Sequence, residues 1–227
     1  MDTALADRLA AVDARIADAA RAAGRDPSEI TRIVVTKFHP ARLIVDLHGL
    51  GVRDVGENRQ QELTAKRSEL SGLPGLTWHF IGQAQSNKAR AVRAASDVVH
   101  SVDRPKIADA LDAVADGDVL DVLMQVNLTD DPGRGGVDPA GAEALAEHVA
   151  GLAALRLRGV MAVAPLDEEP AAAFARLRLS ADVVRSVVPD ATWISAGMTA
   201  DFAEAVSMGA THLRIGSAIT GPRPPRD

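Results

Sequence analysis

Short apolar runs recur at regular intervals along the chain, and segments with helical periodicity separate them. The runs are apolar throughout rather than alternating, which is typical of parallel strands covered on both faces. They predict eight strands: RIVVTK (32–37), DVGEN (54–58), TWHFIG (77–82), VVHSVD (98–103), VLMQVN (122–127), RGVMAVA (158–164), TWISAG (192–197) and HLRIGS (212–217).

The intervening segments carry helix signals. At the start of the chain, Leu5, Leu9, Val12 and Ile16 recur at helical spacing and predict an amphipathic helix that ends at Gly24. Further along, three helix caps are expected. Asp103 and Asp138 are predicted N-caps, and Pro139 follows Asp138 at the first helical position. Gly209 is a predicted C-cap.

Eight strand–helix units in a chain of 227 residues predict a single (β/α)8 TIM barrel preceded by one extra helix, residues 1–24. A doubly wound sheet is the alternative, but no G-x-G-x-x-G fingerprint follows the first strand. No linker divides the chain, so we expect one domain over residues 1–227, with a frayed tail at 222–227.

Composition excludes several function classes. The formal charge of −6 and a pI near 5.5 differ from the basic footprint of a nucleic-acid binder. The chain has no cysteine, which excludes disulfides and thiol nucleophiles, and no tyrosine, which excludes a tyrosine base. The N-terminus lacks the apolar stretch of a signal peptide, and no apolar run is long enough to span a bilayer, so we expect a cytoplasmic protein without membrane contact.

Small and hydroxyl residues occupy the ends of the last two predicted strands, where TIM barrels frequently bind phosphate. Glycines allow backbone N–H groups to approach an anion, and hydroxyl groups donate to it. The candidate phosphate ligands are Ser195, Gly197, Thr199, Gly216 and Ser217. Tight turns between helices and strands also require small residues, so this pattern alone leaves both explanations open.

Lys37 ends the first predicted strand and lies on the same side of it as Ile33 and Val35. A lysine amine in a partly dry pocket has a lowered pKa and can form a Schiff base with a carbonyl group. A strand-end lysine that extends into solvent is the structural alternative. Since strand 8 closes beside strand 1 in a barrel, the simplest ligand for both features carries an aldehyde and a phosphate, as pyridoxal 5′-phosphate (PLP) does.

Several stretches resemble the pyridoxal phosphate homeostasis proteins, which look like the N-terminal barrel of alanine racemase without its second domain. The resemblance covers nearly the full chain, in order: VVTKFHP, VGENRQQEL, WHFIGQAQSNKAR, HSVDR, QVN, LRGVMAV and SAGMTADFAEAVSMGATHLRIGSAITG. It departs from the usual pattern at Thr36, at Phe38-His39, in GQAQSNK and in SAGMT, which puts fine contacts in doubt but not the cofactor.

The resemblance implies a role for each candidate site residue. Lys37 holds PLP as a Schiff base, and Arg214 faces the pyridine nitrogen. Asn58 and Met161 line the pocket near the ring, and the phosphate is held by Ser195, Gly197, Thr199, Gly216 and Ser217. An arginine can only donate, so the ring nitrogen is expected to stay unprotonated, which weakens PLP as an electron sink.

Other polar residues have structural interpretations. We expect His79 and His100 to be hydrogen-bonded core or rim histidines rather than metal ligands. Glu57 is either a base or an acid at a helix N-terminus. Lys88 and Arg90 either form a basic spot near the barrel mouth or begin a solvated helix.

The resemblance implies a monomer that binds, buffers and delivers PLP, and thereby affects amino-acid and keto-acid metabolism through transient contacts with apo PLP-dependent enzymes. A racemase-like enzyme is the first alternative, although barrel racemases use a tyrosine opposite the lysine and this chain has none. A class I aldolase-like enzyme, with Lys37 acting on a sugar phosphate, is the second.

Overall fold

The computed structural model describes residues 3–223, which form a closed barrel of eight parallel strands in the order β1 to β8. The strands are β1 Thr31–Val35, β2 Asp54–Glu57, β3 Thr77–Phe80, β4 Val98–Val102, β5 Leu120–Gln125, β6 Leu155–Met161, β7 Trp193–Ser195 and β8 His212–Ile215. The predicted (β/α)8 barrel is therefore confirmed, with β8 pairing back to β1 and placing Ile33 beside Arg214.

Helices follow the strands and cover the outside of the barrel. Their bounds are α1 Thr3–Ala22, α2 Ala41–Gly49, α3 Gln60–Glu69, α4 Ala89–Ala95, α5 Pro105–Asp112, α6 Ala142–Ala150, α7 Pro170–Val187, α8 Phe202–Ser207 and α9 Ser217–Thr220. Valine, leucine and isoleucine side chains of the strands are buried against these helices, as the uninterrupted apolar runs predict.

The predicted extra helix is α1, which precedes β1 and packs on the barrel near its last helices. Its apolar face buries Leu5, Leu9 and Val12. Arg8 on the same helix donates from Nε to the carbonyl oxygen of Ile219 in α9 over 2.7 Å. The predicted tail falls mostly outside the described residues, because 224–227 are not described.

Two of the three predicted caps agree with the structure. Asp138 accepts from the N–H of Ala140 at 2.8 Å and caps a short 3-10 turn before α6. Gly209 follows α8 with φ = +99°, and its N–H donates to Val206. The Asp103 cap is wrong: Arg104 occupies the N-cap position of α5, and the Asp103 carboxylate instead pairs with the Arg104 guanidinium at 2.6 Å.

Strand β1 is shorter than predicted and ends before the lysine. Thr36 still donates its N–H to Gly56 of the neighbouring strand at 3.0 Å, but its carbonyl accepts from the N–H of His39 at 3.1 Å. This turn takes Lys37 out of the sheet and into the loop at the carboxyl end of β1. Within 3–223, no helix is both long enough and apolar enough to cross a membrane.

Candidate functional site

The carboxyl end of β1 presents Lys37 with a free amine. Its side chain is partly exposed, and no hydrogen bond or ion pair within residues 3–223 involves it. The nearest aromatic group is the Phe38 ring, whose centroid lies 5.9 Å from Nζ. An amine without a partner at a strand end of the barrel is available to a ligand.

A buried ion pair holds the backbone directly before this lysine. Lys66 on α3 contacts the Glu57 carboxylate at 2.6 Å and donates to the carbonyl oxygen of Thr36 at 2.9 Å. The hydroxyl of Thr36 donates to the same carboxylate at 2.6 Å. Burial raises the pKa of Glu57, while Lys66 and the Thr36 hydroxyl act in the opposite direction.

This arrangement corrects one interpretation of Glu57. It is the last residue of β2 and fully buried, not an acid in the first turn of a helix. The acid in the first turn of α3 is Glu62, which accepts from the N–H of Phe38 at 2.8 Å. Phe38 has φ = +68°, a conformation that costs energy for a residue with a side chain. The peptides on both sides of Lys37 are therefore held by α3 and the end of β2.

Arg214, on β8, is a buried cation that forms no ion pair with a carboxylate among residues 3–223. It is 5% exposed. Its Nη1 donates to the carbonyl and hydroxyl oxygens of Ser195 at 2.7 Å each, and its Nη2 donates to the carbonyl of Ala162 at 2.8 Å. Burial lowers its pKa to about 10, so it remains charged near neutral pH. Of its five N–H donors, two have no acceptor among residues 3–223.

Four of the five predicted phosphate residues lie in or at the end of the loops after β7 and β8, whereas Ser195 is the last residue of β7. Gly197 has φ = +90°, and a Cβ there would lie 2.7 Å from that of Ala205, so only glycine fits. Thr199 follows in a partly exposed turn. In the second loop, Gly216 packs over Val35, with 3.7 Å between its built Cβ position and the valine Cβ, and Ser217 begins α9.

The loop after β8 thus lies next to the end of β1, as the closed barrel requires. The N–H groups of Thr199 and Gly216 have no partner in the described part of the chain. The loop after β7 is shaped by Asp201, whose carboxylate accepts from the N–H of Met198 at 2.6 Å. The arrangement offers backbone donors to an anion at the point where TIM barrels often hold phosphate.

Comparison with known proteins identifies the family. The family model for the N-terminal domain of alanine racemase matches residues 8–224. A pyridoxal phosphate homeostasis protein of Pseudomonas aeruginosa is 43% identical over 224 residues, covering 96% of both chains. Its counterpart in Escherichia coli is 38% identical, covering 96% of this chain and 97% of its own. This chain belongs to the pyridoxal phosphate homeostasis proteins.

A solved structure agrees with that assignment to the pyridoxal phosphate homeostasis family. PipY of Synechococcus elongatus, solved with PLP bound, superimposes with a TM-score of 0.84 at 37% identity. The match covers 96% of this chain and all of PipY. The fold predicted by resemblance, an alanine racemase N-terminal-like barrel, is confirmed.

The remaining site residues of this homeostasis-family chain lie in different surroundings. Asn58 directly follows β2, and its buried Oδ1 has no hydrogen-bond partner in the part of the chain that the structure describes. Met161, the last residue of β6, is buried in the barrel interior with Val98 and Leu123. The Ser195 hydroxyl is fully buried, accepts from Arg214 and lies 3.0 Å from His100 Nδ1. Its assignment as a phosphate ligand stays a prediction, and this geometry favours another role for the hydroxyl.

Sequence reasoning correctly placed His79 and His100 in the core but missed their partners. They contact each other at 2.9 Å, and His79 also contacts the Asp54 carboxylate at 3.1 Å. The sequence feature that could have indicated these contacts is the presence of polar residues within otherwise apolar strands. The two basic residues after β3 lie in different places. Lys88 lies near Asn58, whereas Arg90 lines a depression with Asp118 and Leu120, away from the barrel mouth.

Proposed function

We propose that this protein binds PLP through the amine of Lys37 and serves to buffer and deliver it. One observation carries the proposal. Among residues 3–223, the Lys37 amine in the loop directly after β1 has no hydrogen bond or ion pair, and the neighbouring strand β8 holds Arg214 buried without an ion pair to a carboxylate. The homeostasis proteins of P. aeruginosa and E. coli and the PLP-bound PipY structure support it.

The groups left without partners match the chemistry of PLP. Lys37 supplies a free amine for the aldehyde, and Arg214 supplies spare donors for the ring nitrogen, which is an acceptor when unprotonated. The free N–H groups of Thr199 and Gly216 suit the phosphate. The Oδ1 of Asn58, which has no hydrogen-bond partner among residues 3–223, is a further polar atom left for PLP to contact. When bound, PLP supplies an aldehyde that a lysine amine captures covalently, with loss of one water.

The surroundings of Lys37 favour a carrier over an efficient enzyme. Arg214 remains protonated near neutral pH and can only donate, so a ring nitrogen beside it stays unprotonated and withdraws electrons weakly. The chain contains no tyrosine to act as a second base opposite Lys37. We therefore propose reversible capture and release of PLP rather than racemisation or aldol chemistry.

Absorption spectroscopy tests the binding proposal directly. Purified protein mixed with PLP is expected to develop a visible band, and borohydride is expected to fix the cofactor on the peptide that contains Lys37. Lys37→Ala is expected to lose both signals, whereas Lys106→Ala, at an exposed site on α5, keeps them. A wild-type protein that gains no band and no fixed cofactor contradicts the proposal.

Delivery requires contact with apo-enzymes, and the barrel mouth carries apolar side chains for such a contact. Leu166 in the loop after β6 is 94% exposed, and Val163 and Met198 are also exposed in the loops after β6 and β7. We propose that a cytoplasmic monomer docks transiently through this rim. Leu166→Asp is expected to slow transfer of PLP to an apo-enzyme without changing PLP affinity. Equal transfer rates contradict this part, and size-exclusion chromatography checks the monomer.

A further inference from the structure

Polar side chains form a continuous line through the barrel interior, where TIM barrels usually pack branched apolar residues. Asp54 at the amino end of β2 contacts His79 Nε2 at 3.1 Å, and His79 Nδ1 lies 2.9 Å from His100 Nε2. His100 Nδ1 lies 3.0 Å from the Ser195 hydroxyl, which is 2.7 Å from Arg214 Nη1. We call these five residues the interior chain.

The donors and acceptors of the interior chain fit only one direction. Arg214 can only donate, so the Ser195 oxygen accepts from it. The serine proton then has His100 Nδ1 as its acceptor, which places the His100 proton on Nε2. That N–H donates to His79 Nδ1, and the His79 proton on Nε2 donates to the Asp54 carboxylate. The hydroxyl and the four ring nitrogens between the arginine and the aspartate then all have partners.

The reverse direction fails at both ends. If His100 donated from Nδ1 to Ser195, the serine oxygen would accept twice and its own buried proton would lack an acceptor. With both histidines neutral, His79 Nε2 would then carry a lone pair facing the Asp54 carboxylate. Protonating His100 is also unfavourable, since burial and then nearby His79, Arg214 and His212 hold its pKa well below the usual value.

We propose that the interior chain, with both histidines neutral and protonated on Nε2, is the device that positions the Arg214 guanidinium for its ligand. The Ser195 hydroxyl accepts from Arg214 and donates its proton to His100. Its role is therefore to hold Arg214 rather than to donate to phosphate. His100 is a positioning residue because it fixes the direction of that hydroxyl. The identity of the ligand acceptor, the ring nitrogen of PLP, rests on the proposed function; the proton positions do not.

Charged and titratable groups lie in or beside the interior chain on five strands and in the loop after β7. They are Asp54 on β2, His79 on β3, His100 on β4, Arg158 on β6, His212 and Arg214 on β8, and Asp201 after β7. Arg158 acts on His212, and Asp201 acts on Arg214. Two of these groups are carboxylates: Asp54 at the far end of the interior chain, and Asp201, whose charge acts on Arg214. Because both histidines are neutral, the interior chain links the Asp54 carboxylate to Arg214 by hydrogen bonds without placing a second cation beside the arginine.

Nuclear magnetic resonance tests the proton positions without any ligand. In ¹⁵N-labelled apo-protein near pH 7, long-range ¹H–¹⁵N correlations are expected to report protonated Nε2 and unprotonated Nδ1 for both His79 and His100. A His100 proton on Nδ1, or a doubly protonated ring at either position, overturns the interior chain as described. This outcome does not depend on whether PLP binds.

Matched variants test the positioning role. His100→Phe is expected to weaken PLP binding by about tenfold and to speed hydrogen exchange at the Arg214 guanidinium in the apo-protein. His212→Phe removes another buried histidine outside the chain and is expected to change neither. His100→Asn restores an acceptor near Nδ1 and is expected to recover most of the loss.

The outcomes separate the two proposals. If His100→Phe does not fold, His100→Asn and the wild-type spectra still decide the matter. Wild-type PLP affinity and unchanged Arg214 exchange in a folded His100→Phe overturn the positioning role. A wild-type protein that binds no PLP, but has the expected proton positions, overturns the proposed function and leaves the interior chain intact.

Discussion

The ammonium group of Lys66 donates a hydrogen bond to the carbonyl oxygen of Thr36, the residue directly before Lys37, over 2.9 Å. The same ammonium pairs with Glu57, which is completely buried. A buried ion pair is costly to desolvate and is a weak source of stability. Its position here suggests what it provides: a fixed direction for the chain where it leaves β1.

We predict that Lys66→Met destabilises the protein by about 3 kcal/mol, because it leaves the Glu57 carboxylate buried without its partner. Urea unfolding of the apo-protein measures the change. PLP affinity is also expected to fall, since the Thr36 carbonyl loses the donor that holds it.

The matched comparison is the double variant Lys66→Met/Glu57→Gln, whose amide oxygen still accepts from Thr36. It is expected to recover most of the lost stability, which a double-mutant cycle would record as strong coupling. The exposed control Lys106→Met should change little. Equal losses in the single and double variants would contradict the ion-pair explanation.

The barrel was predictable because its signals are local. Eight apolar runs and the glycine and proline residues between them lie within short windows of sequence, and the structure reproduces their order and pairing. Lys37 could also be singled out, since it lies at the end of an apolar run, whereas Arg214 was named through the family resemblance. The precise end of β1 was missed because the turn depends on Glu62 of α3 binding the Phe38 N–H.

The interior contacts could not be predicted, because they depend on which strands meet across the barrel. Ser195 and His100 are 95 positions apart in the sequence. Glu57 was interpreted as an acid at a helix start because the sequence does not show its ion pair with Lys66, which lies beyond a loop in the next helix. A polar residue in an apolar strand marks such a contact, but the sequence does not identify the partner.

We predict that Gly197→Ala destabilises the protein by at least about 2 kcal/mol, from its φ of +90° and the short contact with Ala205. The displaced loop carries Thr199, so PLP affinity is expected to fall as well. Thermal unfolding and PLP titration measure both effects. Gly72→Ala, where an added Cβ meets nothing within 4 Å, serves as the control. Wild-type stability in Gly197→Ala would contradict the packing argument.

We predict that Glu62→Ala weakens PLP binding about fivefold, equivalent to about 1 kcal/mol, because the N–H of Phe38 loses its charged acceptor. The unusual φ of Phe38 then has one fewer contact to hold it, and the loop that carries Lys37 becomes less ordered. Glu62→Gln keeps an acceptor and is expected to stay near wild type. Titration with PLP measures the three affinities, and the same loss in both variants would point to charge rather than to this hydrogen bond.

Stability is expected to fall as the pH drops below about 6.5, the usual histidine pKa in an unfolded chain. Burial holds the pKa of His100 well below its ordinary value and lowers that of His212 to about 3. Both stay neutral in the folded protein while the unfolded chain takes up protons. Their contribution is therefore fully present above pH 6.5 and is lost as the pH falls towards the folded values.

For each histidine the slope approaches about 1.4 kcal/mol per pH unit. Glu57 acts in the opposite direction, because its raised pKa favours the folded state at lower pH. Urea unfolding at several pH values between 7 and 5 measures the combined slope. His212→Phe is expected to lower this slope by nearly the share of one histidine. A slope that His212→Phe does not alter would mean that His212 binds a proton equally in both states.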